Sequence, residues 1–181
     1  MNKDKSVDFN VTIITPEEAR EQLNNYSEIL YLLNKVNKSR TCKADVHPEF
    51  LSLSFCIPEK TSNATNFSRF LCIISKNNIL FIDDTGKIGY YIKKMQKNKV
   101  LNEKNIGRFI YDFMETLIDG ELRYLEEFND RIVKIENAIV SGDFNNFEHK
   151  MLTIKRENLI FYRYYSQLMD ISQELQENEN S

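Results

Sequence analysis

Apolar and polar positions change period along the first hundred residues and then settle into one sustained rhythm. "TPEE" at 15–18 predicts a helix start, with Thr15 as N-cap, Pro16 at the first helical position and Glu18 closing a capping box. Ala19, Leu23, Tyr26, Leu30 and Leu33 then recur every three or four residues, an amphipathic face that "NNYS" at 24–27 can split into two short helices. At Leu51, Leu53, Phe55 and Ile57 the period drops to two, predicting a strand with one buried face. Residues 58–66 read as loop. "FSRFLCIISKNNILFIDD" follows as two β-rich runs around Lys76-Asn77-Asn78, a hairpin turn in which Asn tolerates positive φ. Both runs are apolar at nearly every residue, so this part of the sheet is expected to be covered on both faces. Ile88, Tyr91, Ile92 and Met95 place a helix over about Lys87–Gln96.

From Asn105 the pattern stays helical. Ile106, Phe109, Phe113, Leu117, Tyr124, Phe128, Ile132, Ile135 and Ile139 mark one stripe, predicting a single helix of roughly 35 residues, or ~50 Å. Gly120 interrupts it at about 1 kcal/mol relative to Ala, a cost tertiary packing can absorb. Ser141-Gly142-Asp143 ends it, with Gly as the left-handed cap and Asp as N-cap of the next helix. A second run from Phe144 to about Gln176 carries Phe147, Met151, Ile154, Phe161, Tyr165, Leu168 and Leu175. So short a connection predicts a long antiparallel helical hairpin. The fold class that emerges is mixed α/β: a small sheet flanked by helices over 1–104, packed with a helical hairpin over 105–181. The hairpin has more apolar stripe than the sheet can cover, and another subunit is its natural cover.

Composition narrows the function. The 181 residues are 41% hydrophobic and 28% charged with net charge −3, values of a globular chain and a poor match to a nucleic-acid binder, which neutralises phosphates with cations. The charge is uneven. Residues 1–104 carry 16 Lys+Arg against 12 Asp+Glu, whereas 105–141 carry 4 against 8. The longest apolar runs, "FLCII" and "ILFI", are far short of the ~20 residues of a membrane span, and "MNKDKSVDFN" has no signal-peptide core. Cys42, Cys56 and Cys72 form no C-x-x-C pair and are expected to behave as small hydrophobes in a reducing compartment.

Catalytic patterns are missing. "TGKIG" at 85–89 lacks the earlier Gly and the following Ser/Thr of a phosphate loop. The two histidines, His47 and His149, make no zinc pattern, and no nucleophile elbow occurs. An enzyme is not expected. Asp112, Glu115 and Asp119 stand at i, i+3 and i+7 on the long helix, followed by Glu126 and Asp130. Like charges so spaced repel by a few tenths of a kcal/mol. The set reads either as a solvated acidic face or as a weak divalent-cation site, since magnesium often takes only one or two carboxylates and keeps its waters. Lys150, Lys155, Arg156 and Arg163 on the second arm are expected to pair across the hairpin with these acids.

From about Thr41 to Glu179 the chain resembles the cytoplasmic domain of CorA-type magnesium and cobalt channels. The resemblance is carried by "FLCIISKNNILFIDD", by "IGRFIYDFMETLIDGELRYLEEFNDRIVKIENAI" and by "FYRYYSQLMDISQELQ". It implies an α/β sandwich with long helices beside a stalk, assembled as a pentameric funnel on the cytoplasmic face of the membrane. It also implies feedback, in which bound Mg2+ or another divalent cation, weakly held at most, bridges subunits and keeps the pore closed. Glu115 is the candidate metal contact by its position on the long helix, with Asp112 and Asp119 after it. Family members continue into a stalk helix, two transmembrane helices and a Gly-Met-Asn signature. None is present here, so a soluble, shortened product is expected, with self-association as its partner and no nucleic acid. Two functions stay open: the regulatory and assembly domain of a CorA-like divalent-cation channel, or a standalone homo-oligomeric interaction protein that kept the fold without the pore.

Overall fold

A computed structural model describes residues 9–60, 66–98 and 105–179. Five strands, β1 (Asn10–Ile14), β2 (Lys43–Val46), β3 (Leu51–Pro58), β4 (Phe67–Ser75) and β5 (Asn78–Ile82), form one sheet in the order β1-β5-β4-β3-β2. β1 runs parallel to β5 and every other pair is antiparallel. Two helices, α1 (Pro16–Gln22) and α2 (Ser27–Lys38), cover one face. The other face takes α3 (Lys87–Lys97), α4 (Ile106–Ile118) and part of α6 (Phe147–Glu179), while α5 (Glu121–Val140) runs beside α6.

Local sequence explains the first turn of α1. Thr15 accepts from the Glu18 amide at 3.2 Å, and Glu18 accepts from the Thr15 amide at 2.7 Å, the reciprocal box the sequence predicts. The expected break at 24–27 separates α1 from α2. Alternation then sorts the sheet. Leu53, Phe55, Phe70, Cys72, Ile79 and Phe81 face α3, α4 and α6, whereas Leu71, Ile73 and Ile82 face α1 and α2. Phe113 on α4 is the hub, its ring 5.1–6.2 Å from those of Phe55, Phe70, Phe81 and Tyr91. Offset and edge contacts of this kind add to the area term.

Four sequence expectations need correction. β3 is buried on both faces, because Ser52 and Cys56 are 2% and 4% exposed; α2 packs over β3, and Cys56 joins the main core cluster beside Cys42. The β4–β5 turn at Lys76-Asn77 uses no positive φ, since among the described residues only Asn146 has one outside glycine. Asp143 does not cap α6. Its carboxylate accepts from the Asn145 amide at 3.0 Å, and the helix starts later, at Phe147. Lastly, the single helix expected over Asn105–Ser141 is two. Asp119 is extended and Gly120 sits at φ 83°, so the hydrogen-bond ladder ends there and restarts at Glu121. Packing does not absorb this glycine; the left-handed conformation re-aims the chain. The expected domain boundary at 104/105 adjoins 99–104, and part of the expected 58–66 loop is 61–65; both stretches lie outside the described residues.

Gly142, at φ 78°, does end α5 as expected. Its amide donates to Ile139 and the Asp143 amide to Ala138, the two bonds of a Schellman cap. All three cysteines are buried, and burial pushes the Cys42 thiol up to about 12, so these thiols are inert packing groups.

Candidate functional site

The three acids singled out in the sequence lie on α4 or just past its end, and each meets a different environment. Asp112 is fully buried at the edge of the α4 core face. Arg108 Nε, one turn earlier, is 2.8 Å from its Oδ1, but the angle makes no hydrogen bond, so among the described residues both carboxylate oxygens lack a donor. Glu115 is exposed and borders an open groove between α4 and α6, lined by Tyr111, Met114, Ile118, Tyr165, Leu168 and Met169. Asp119 reaches α3, where Lys94 Nζ is 2.6 Å away and holds its carboxyl below the usual carboxylate range, first through that hydrogen bond and then through charge. Among the described residues no three or more His, Cys, Asp or Glu side chains converge to hold a metal ion.

Two buried glutamates that the sequence reading passed over organise the hairpin. Glu121 is the one buried residue of α5. Its carboxylate meets Lys60 Nζ at 2.8 Å and accepts from Tyr165 Oη at 2.5 Å, joining the end of β3, α5 and α6. Glu157 on α6 is 2% exposed; Arg131 of α5 binds it through both terminal nitrogens, at 2.9 and 2.5 Å, and the Tyr124 hydroxyl donates to it as well. The cross-hairpin pair therefore runs opposite to the expectation, with the base on the first arm and the acid on the second. A signal existed: both glutamates fall on the apolar stripes, Glu121 between Leu117 and Tyr124, Glu157 between Ile154 and Phe161.

One arrangement has the outline of a catalytic relay. His47 Nδ1 lies 2.7 Å from Glu28 Oε1, and His47 Nε2 lies 3.0 Å from Ser52 Oγ. Ser52, however, is 2% exposed inside β3, and its hydroxyl also reaches the Asp45 carbonyl at 3.4 Å. An acyl substrate has no approach to an oxygen so placed. His47 stacks on Phe50 and ties α2 to the β2–β3 turn instead.

The hairpin leaves apolar side chains uncovered. Leu122, Leu125, Val133 and Val140 lie along the side of α5 turned from α6, and Met151, Leu159, Tyr162 and Met169 along α6; all are at least 40% exposed. Among the described residues no helix is long and apolar enough to cross a membrane.

Comparison with known proteins places this architecture. The fold matches the soluble domain of CorA from Methanocaldococcus jannaschii, with TM-score 0.62 and 16% identity, covering 85% of this chain and 64% of that one. It also matches the full-length CmaX protein, with TM-score 0.65 and 13% identity, covering 90% of this chain and 52% of that one. The chain thus spans less than two thirds of either structure. No curated protein sequence matches it significantly. A family model described as CorA-like Mg2+ transporter protein matches residues 12–181, nearly the whole chain, and the protein therefore belongs to the CorA-like Mg2+ transporter family.

Proposed function

We propose that this chain is the regulatory and assembly domain of a CorA-type divalent-cation channel, with no catalysis of its own. The observation that carries the reading is the family match over residues 12–181 on a fold shared with a CorA soluble domain. Conduction would belong to membrane helices outside the described residues; sensing and assembly would belong to this chain, at the cytoplasmic face. The hairpin's uncovered apolar sides support an assembly role, because a stripe of this kind is ordinarily closed by another subunit.

The donor chemistry suits Mg2+, a hard cation that takes carboxylates and keeps waters. One copy alone falls short. Asp112 lies against Arg108 and Asp119 pairs with Lys94, which leaves Glu115 as the exposed carboxylate of the three that forms no ion pair among the described residues. A cation held between copies, with Glu115 as one ligand and water as the rest, fits this set; a tight site within one chain does not.

Sedimentation of the protein with and without millimolar MgCl2 tests this. Metal-dependent association that EDTA reverses and Glu115→Gln abolishes is the expected result. Association that ignores both metal and Glu115→Gln would instead favour an interaction protein that shares the fold and has no part in ion flow.

A further inference from the structure

α6 carries two apolar rows, and the fold uses one of them. Phe161, Tyr164, Leu168 and Ile171 point into the core. On the opposite side Leu152, Leu159, Tyr162 and Met169 are each more than half exposed. With Lys155, Ser166 and Gln173 they form a second row, from 152 to 173, in which steps of three and four alternate without a break. That spacing is the seam of a coiled coil. A helix of 33 residues, ~50 Å long, gives it three full heptads of straight surface.

The charges beside the row say what covers it. Arg156, Arg163, Asp170 and Glu177 follow one another every seven residues along one flank, two bases and then two acids. Among the described residues Arg156, Arg163 and Asp170 form no ion pair, so the pairing expected across the hairpin does not engage these arginines. The sign changes once, and the pairs Arg163/Asp170 and Arg156/Glu177 share one midpoint, between Ser166 and Gln167. Turned end for end about that point, the flank is complementary to itself: each base meets an acid of a second copy. A parallel copy would set Met151, Asn158, Tyr165 and Ser172 against the same four positions, and none of these is charged. An anionic lipid surface would be repelled by the two acids at one end of the row.

We propose that the outer face of α6 docks antiparallel on the same face of α6 in a second copy of this chain. Leu152, Leu159, Tyr162 and Met169 supply the apolar seam, and Arg156 and Arg163 of each copy pair with Glu177 and Asp170 of the other. The contact is two-fold, so every ion pair occurs twice. Lys155, Ser166 and Gln173 within the seam keep the pairing dissociable and fix its register, as polar seam positions do. This surface goes beyond the metal-bridged association proposed above, since it needs neither a cation nor Glu115.

Sedimentation equilibrium of the full chain in EDTA, in a Glu115→Gln background, tests the pairing with metal bridging removed. A concentration-dependent dimer is expected. Arg156→Glu/Arg163→Glu makes the flank wholly acidic, and Asp170→Arg/Glu177→Arg makes it wholly basic. Each variant turns four attractive contacts into four repulsive ones, so each alone should associate at least tenfold more weakly. Mixed in equal amounts, the two should recover a dimer of one acidic and one basic chain. All four positions are exposed, and circular dichroism checks that the fold is kept. Leu159→Glu, in the middle of the seam, should abolish the dimer. A wild-type flank that stays monomeric at hundreds of micromolar would overturn the proposal and hand the seam to a different partner. Dimers of wild-type strength in both charge variants, or a mixture that fails to recover association, would overturn it as well. Restoring Glu115 and adding MgCl2 to the Leu159→Glu variant then reads metal-bridged association by itself, so either contact can fail without the other.

Discussion

Arg131 on α5 grips Glu157 on α6 through two parallel hydrogen bonds of 2.9 and 2.5 Å, and Glu157 is almost entirely withdrawn from water. This one pair, with the Tyr124 hydroxyl added, closes the middle of a hairpin whose aromatic contacts are few: Tyr124 against Phe161 at 4.6 Å and Phe128 behind it.

Removing one partner leaves the other charge buried. Arg131→Met is expected to cost about 2–3 kcal/mol in urea unfolding, below the ~3–5 of a fully enclosed pair because the Arg131 side chain is 37% exposed. The double variant Arg131→Met/Glu157→Leu should recover most of that loss, since apolar replacement of both partners is often near neutral. A double variant as unstable as the single would mean that Tyr124 and packing, not the stranded charge, set the cost.

Gly120 carries the break between α4 and α5 through its backbone alone. A Cβ there would meet no atom within 4 Å, so only the φ of 83° opposes a side chain. Gly120→Ala should therefore destabilise by about 1–2 kcal/mol, and Gly120→Asn by less, because Asn enters the left-handed region more readily. Thermal unfolding of the two variants measures it. Equal losses would point to a steric cause and contradict the open space around this residue.

Acid should loosen the junction at Asp119. Lys94 holds its folded carboxyl below the unfolded value of about 3.9. A depressed carboxyl contributes stability that is full above the unfolded pKa and is lost as pH falls through the folded one. The difference in urea midpoint between the wild type and Asp119→Asn should thus be largest near pH 7 and shrink as the pH falls below the unfolded value and through the folded one. A difference that persists at low pH would assign the effect to the backbone at the end of α4 and not to charge.

How much of this was legible beforehand depended on the range of the cause. The Thr15–Glu18 box, the Gly142 cap and the two-sided burial of β4 and β5 are set by neighbours within four residues or by an almost unbroken apolar run. β1 and β2 were missed, because a run of five or four residues carries too little period to declare itself; β1 becomes a strand by pairing in parallel with β5, 68 positions on. The second face of β3 was misjudged because serines read as solvent-facing, and whether α2 closes over Ser52 is decided elsewhere in the chain.

The candidate site divides the same way. Sequence spacing alone determined that Asp112 and Glu115 share a helix and that a helical hairpin follows, since period and caps are local properties; Asp119, expected on the same helix, falls just past its end. Only the tertiary structure decided that Gly120 turns the chain, that Lys94 and Lys60 claim the acids on either side of it, and that Glu157 is buried against Arg131. Partners brought together from distant elements leave no mark in local spacing, because a buried charge and a solvated one look alike until the fold supplies the counter-charge.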